Sequence, residues 1–212
     1  MRKALLWLLA FLIAAGTMVF QRMTGPTNPV RGQARLDGGE IAYRLPRSAV
    51  DSGPCELAVA APGTETAGYF EFKRFKSSDP WSKLPLIRRG DSLVGNLPRQ
   101  PRAGKLLYRV VLTEGGREVP LGGSDPIVIR FRGDVPAWVL IPHVVFMFLA
   151  MLFGARAGLA ALDKKDKPLP YAKGAALLLF ISGFILGPLM QVYGFGVLWS
   201  GVPWGHDMTD NK

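Results

Sequence analysis

His143 and His206 are the only imidazoles in the 212-residue chain. His143 lies six residues after Ala137 in an uncharged apolar stretch, directly after Pro142. His206 lies in the C-terminal run WSGVPWGHDMTDNK, beside Asp207 and Asp210. Two imidazoles brought together would ligate haem, and imidazole with two carboxylates would suit a small metal site. A histidine inside an apolar span is uncommon and invites a functional reading. The competing reading is structural: His143 bonds a carbonyl freed by Pro142, and His206 is a solvated tail residue. That structural reading is the expectation, with haem or a metal ion as the alternative.

Other reactive types are sparse. Cys55 is the sole cysteine, which excludes an intrachain disulfide and any two-cysteine metal site; in CELAVAA it is expected to be a small buried hydrophobe. Residues 21–135 contain no histidine and their carboxylates are scattered among turns, so no catalytic set is expected and the chain is not read as an enzyme. Trp81 is the one tryptophan of that segment. It is expected in the core, but beside Phe70, Phe72 and Phe75 it could instead form a platform for a carbohydrate or a partner.

Three apolar stretches, residues 4–20, 137–162 and 172–198, must position these groups. Each is close to the ~20 residues that a helix needs to cross a bilayer. The first follows Arg2 and Lys3 and offers Ala14-Ala15-Gly16 as a signal-peptide cleavage site. Met18-Val19-Phe20 continues the apolar run past that point, so an uncleaved anchor is expected. Arg156, just beyond the uncharged run, could snorkel to the headgroups. Asp134 and Pro136 suit the cap and first turn of the second span, leaving a short joint that would hold the preceding domain close to the membrane. Gly154 with Gly158, and Gly183 with Gly187, place two glycines on one helix face. Packing of the second span on the third is the expected use, with contact to another membrane subunit as the alternative. Gly187-Pro188 should kink the third span. Tyr193, Trp199 and Trp204 suit the bilayer interface.

Between the first two spans, residues 21–39 are rich in Gly, Pro, Thr and Asn and read as a linker. Strands are predicted at 40–45, 55–60, 69–75, 84–88, 92–97, 106–113, 118–120 and 127–132, separated by turn residues. Their spacing predicts an all-β sandwich over residues 40–135. Within it, LPRQPRAGKLLYRV at 97–110 is a Pro- and Gly-bearing turn feeding a strand that carries Tyr108. This run resembles the loop-to-strand corner of fibronectin type III and related immunoglobulin-like domains. The resemblance implies an immunoglobulin-like sandwich in which the Tyr108 hydroxyl ties its strand back to the preceding corner.

The connection at 163–171 and its flanks carry Arg156, Lys164, Lys165, Lys167 and Lys173 against Asp163 and Asp166. With Arg2 and Lys3, this places the N-terminus and that connection in the cytoplasm, and residues 21–135 and the tail 199–212 outside. The lack of any N-glycosylation sequon points to a bacterial inner membrane, with the β-domain periplasmic or extracellular. The net charge is +10, of which residues 21–135 hold +6, from 18 Lys and Arg against 12 Asp and Glu. Such a domain could favour anionic headgroups or an acidic partner, although a solvated charged surface is the plainer account. Interleaved acids and an outside location argue against nucleic acid. The expected function is therefore a non-enzymatic accessory subunit that binds or braces another membrane protein or a second copy. A haem or metal redox subunit and an envelope-polymer module are the alternatives.

Overall fold

The computed structural model describes residues 2–36, 39–163 and 165–199. The chain divides into two compact units, Pro26–Asp134 and the pair Met1–Gly25 with Val135–Lys212. The first is built of β-sheets and the second of helices.

In the β-unit, alternation along the chain decides which face is buried. Strands β1 (Val30–Leu36) and β2 (Gly39–Leu45) form an antiparallel hairpin. β1 falls inside the segment expected to be a linker. A second sheet runs β3 (Ser48–Val50), β11 (Ile127–Arg132), β9 (Lys105–Glu114), β5 (Ala67–Arg74), β6 (Ser82–Pro85). Strand β10 (Arg117–Leu121) pairs with β9 as well, on the edge that β9 shares with β11. All these pairings are antiparallel except β3 with β11. The third sheet is β4 (Cys55–Ala60), β8 (Ser92–Leu97), β7 (Ile87–Arg89).

One core joins the three sheets. It contains Leu36 and Leu45 from the hairpin, Leu57 and Leu97 from the third sheet, and Phe70, Tyr108 and Phe131 from the second. Cys55 packs partly buried against it, and burial pushes its thiol pKa up, which favours the protonated form. The expected strand at 84–88 is divided. Pro85 ends pairing with β5, the Leu86 amide donates to the Gly68 carbonyl at 2.8 Å, and Ile87 begins pairing with β8. Proline brings no N–H to a ladder, so the change of sheet falls where the ladder would fail anyway.

The helical unit holds α1 (Arg2–Thr24), α2 (Ala137–Ala161) and a composite third helix. The composite is α3 (Pro168–Phe180), a π-helical turn (Ile181–Leu186) and α4 (Gly187–Phe195). At 23, 25 and 28 residues, all three are long and apolar enough to cross a membrane. Where a kink is expected at Gly187-Pro188, the structure has a π turn just before it. Pro188 has no N–H for the carbonyl four residues back, and i→i+5 bonding relaxes that register.

Two expectations about α2 are corrected. Its N-cap residue is Pro136 without a side-chain cap bond, not Asp134. Arg156 does not snorkel: it is 0% exposed and bonds the Asp166 carboxylate and the Tyr171 hydroxyl. Its guanidinium also lies 4.2 Å from the Tyr171 ring centroid and 5.7 Å from that of Trp7. A buried guanidinium is costly unless it is paired, and Asp166 of the connection supplies the counter-ion.

Candidate functional site

The second sheet turns alternate residues of β5 and β9 in opposite directions. Phe70, Tyr108, Val110 and Leu112 go into the core. Tyr69, Glu71, Lys73, Leu107, Arg109 and Val111 go to the other face, where Glu71 lies in register with both Arg109 and Lys83. Trp81, just ahead of β6, lies on this outer face and not in the core. The Lys73 ammonium stands 5.2 Å from its ring centroid and the Arg109 guanidinium 4.9 Å. Lys83 lies over Tyr69 at 3.4 Å, while Lys76 and Lys105 lie over Phe75 at 5.6 and 5.7 Å.

The result is a sheet face of aromatic rings covered by cations. Cation–π contact favours this arrangement because the ring face is electron-rich. The Tyr69 hydroxyl donates to Glu118 at 3.1 Å, and burial followed by that bond pushes its pKa up. The loop that delivers Trp81 is held by a two-point pair: Arg74 donates from Nε and Nη2 to Asp79 at 2.6 and 2.9 Å. Those bonds lower the Asp79 pKa to about 2.

Three other arginines of the β-domain are already engaged. Arg88 donates to the carbonyls of Ala61, Gly63 and Thr66, Arg89 pairs with Glu56, and Arg102 with Asp51. Arg109, by contrast, keeps a buried Nε without a hydrogen-bond partner among the described residues. Sequence composition gave the basic excess but not this partition, which depends on strand register.

Of the aromatic group expected around Trp81, Phe70 is 2% exposed in the core. Phe72 packs against the core and stacks on Phe70, with centroids 6.0 Å apart. Neither is available as a platform, because both have the inward parity of β5. The Tyr108 hydroxyl donates to the Pro46 carbonyl at 2.7 Å, not to its preceding turn, so it ties β9 to the β2–β3 connection.

In the helical unit, His143 Nδ1 lies 3.1 Å from the Ser182 carbonyl in the π turn. It therefore reaches a carbonyl of the neighbouring helix, not one freed by Pro142. A carbonyl only accepts, so Nδ1 donates its proton in this contact. Ser182 is fully buried and its hydroxyl donates to Met147 Sδ at 3.1 Å. His206, Asp207 and Asp210 lie outside the described residues. Among the described residues no group of three or more His, Cys, Asp or Glu gathers in a way that would hold a metal ion.

The glycine pairs do not pack α2 on α3. A Cβ built at Gly154, Gly158 or Gly183 meets nothing within 4 Å, and at Gly187 only the Ser182 carbonyl at 3.4 Å. The close approach falls instead at Gly174, whose added Cβ would lie 2.8 Å from Phe153. Buried Ala10 and Ala14, four residues apart on α1, mark another tight face, where Trp7 meets Phe153 and Phe11 meets Phe148 edge to face. That alanine spacing was readable in the sequence.

No protein-family model matches the chain, and no curated protein matches it. The fold itself defines a class: a membrane protein with a β-sheet domain and three helices that can span a bilayer.

Proposed function

We propose that the chain is a non-enzymatic accessory subunit of a bacterial inner-membrane complex, and that its β-domain docks an acidic protein surface. One observation carries this reading: Lys73 and Arg109 lie against Trp81 while Lys83 covers Tyr69. A sugar stacks on a bare ring face, and these faces already carry cations. A carboxylate, in contrast, gains from cations backed by aromatic rings, and Trp, Tyr and Arg are the residues that dominate protein interfaces. The open glycine faces of Gly154 with Gly158 and of Gly183 support a neighbouring membrane chain, since small residues admit close helix approach.

An immunoglobulin-like arrangement is supported by the strand orders β4-β8-β7 and β11-β9-β5 and by the parallel β3–β11 edge. In that reading the cation-covered face belongs to the larger sheet. The Lys and Arg distribution favours a cytoplasmic N-terminus with the β-domain and C-terminus outside.

The test is photo-crosslinking in intact membranes from a benzoylphenylalanine at position 107, on the same face. The expected result is a discrete protein adduct, lost when Lys73, Lys83 and Arg109 are all changed to Glu. It should also fade in ~1 M salt, where charges are screened beyond ~3 Å. An adduct indifferent to charge reversal, or one formed with polysaccharide, overturns the reading.

A second reading, a haem or metal redox subunit, is favoured by His143 alone. Donation of Nδ1–H to a backbone carbonyl is how ligating histidines are commonly oriented, with Nε2 left for the metal. A Soret band or bound metal in the purified protein, lost in His143→Ala, would establish it; a colourless, metal-free protein would exclude it.

A further inference from the structure

The β-domain has a second, chemically different surface. A cleft of about 360 Å³ is lined by Thr27, Arg44, Arg47, Ser48 and Glu56, with Pro29, Pro46 and Ala58 completing its wall. That volume lies within the range of small-ligand sites. Arg44 is the penultimate residue of β2 and Arg47 precedes β3, so the two arginines flank Leu45-Pro46. Their backbone is fixed from three sides. Leu45 is fully buried, the Pro46 carbonyl accepts the Tyr108 hydroxyl at 2.7 Å, and the Arg47 carbonyl accepts the Arg130 amide at 3.1 Å. Neither Arg44 nor Arg47 has a side-chain ion pair or hydrogen bond among the described residues, unlike Arg74, Arg88, Arg89 and Arg102. The one carboxylate of the lining, Glu56, is paired with Arg89 at 3.3 Å, which leaves the cleft with a positive balance.

We infer that this cleft is a binding site for a phosphate group. Each guanidinium presents a planar fork that matches two oxygens at once. A carboxylate has only two oxygens and satisfies one fork. Two forks, with the hydroxyl residues Ser48 and Thr27 beside them, match the three or four oxygens of a phosphate. The backbone is already held in place, so binding orders little of the chain. Two sources supply the same chemistry, a soluble phosphomonoester or a lipid headgroup; Thr27 follows the last residue of α1 by three positions. The site rests on different residues from the cation-covered face and stands independently of the docking reading.

The experiment uses the full chain in a phosphate-free sugar detergent, titrated separately with inorganic phosphate, glycerol 3-phosphate and dispersed phosphatidic acid. Binding is followed by ³¹P NMR. Saturable binding is expected for at least one probe, weakened ~10-fold or more by Arg44→Gln or by Arg47→Gln and abolished by both. Arg99→Gln, an exposed arginine outside the cleft, should bind as wild type, and Arg47→Lys should bind more weakly because it keeps the charge but loses the fork. Saturation by phosphatidic acid alone assigns the lipid source; saturation by the soluble probes assigns a free phosphoester. No saturation with any probe, or saturation retained in the double variant, overturns the site. An unchanged circular dichroism spectrum and melting profile of the double variant separate lost binding from lost folding.

Discussion

Tyr108 shows how one polar atom joins distant parts of a small β-domain. Its ring is fully buried, and burial drives its pKa far above the ordinary phenol, so it stays a donor. Tyr108→Phe keeps the ring but leaves the Pro46 carbonyl without that partner. The expected cost is ~1–2 kcal/mol, read as faster amide exchange in peptides from β2, β3 and β9 of the full chain. Asp79 makes a different prediction, because it is half-buried and its pKa is lowered to about 2 by its hydrogen bonds from Arg74. A carboxyl whose folded pKa lies below its unfolded ~3.9 contributes fully above pH ~4. That contribution is lost as pH falls through about 2. A carboxyl-carbon NMR titration should show the low midpoint, and Arg74→Gln should move it up toward ~3.9.

At the level of elements, β8 depends on what is missing from Gly95. An added Cβ would meet Phe70 at 2.6 Å and Leu86 at 2.8 Å, and both side chains belong to the core. Gly95→Ala should therefore destabilise the β-domain by ~1–3 kcal/mol, the usual effect of overpacking, and lower its melting transition. The π turn at Ile181–Leu186 is the helical counterpart, a local departure from the α register that puts the Ser182 carbonyl in reach of His143. The alternation in β4 and β9 was legible, since Leu57, Val59, Leu106, Tyr108, Val110 and Leu112 repeat every second residue. β1 was not, because its Gly and Pro neighbours read as a linker. Its one local signal was Asp37-Gly38, a favoured hairpin-turn dipeptide.

For the whole molecule, the proposed topology is the claim that most constrains function. In a Cys55→Ala background, Ser78→Cys should react with a membrane-impermeant maleimide from the outer side once the outer barrier is opened. Lys165→Cys should react only after the inner membrane is permeabilised. Equal access at both positions would refute the orientation.

The number, length and apolar character of the three helices were legible in the sequence, because a span of ~20 residues without charge has few other stable solutions. So was the strand-rich domain between the first two. The destination of each polar group was not. Whether Trp81 entered the core or lay under Lys73 and Arg109, whether Arg156 reached water or Asp166, and which carbonyl took Tyr108 all depended on residues distant in the chain. Local periodicity sets an element and its buried face; register and packing between elements choose the partner, and only tertiary structure contains those distances.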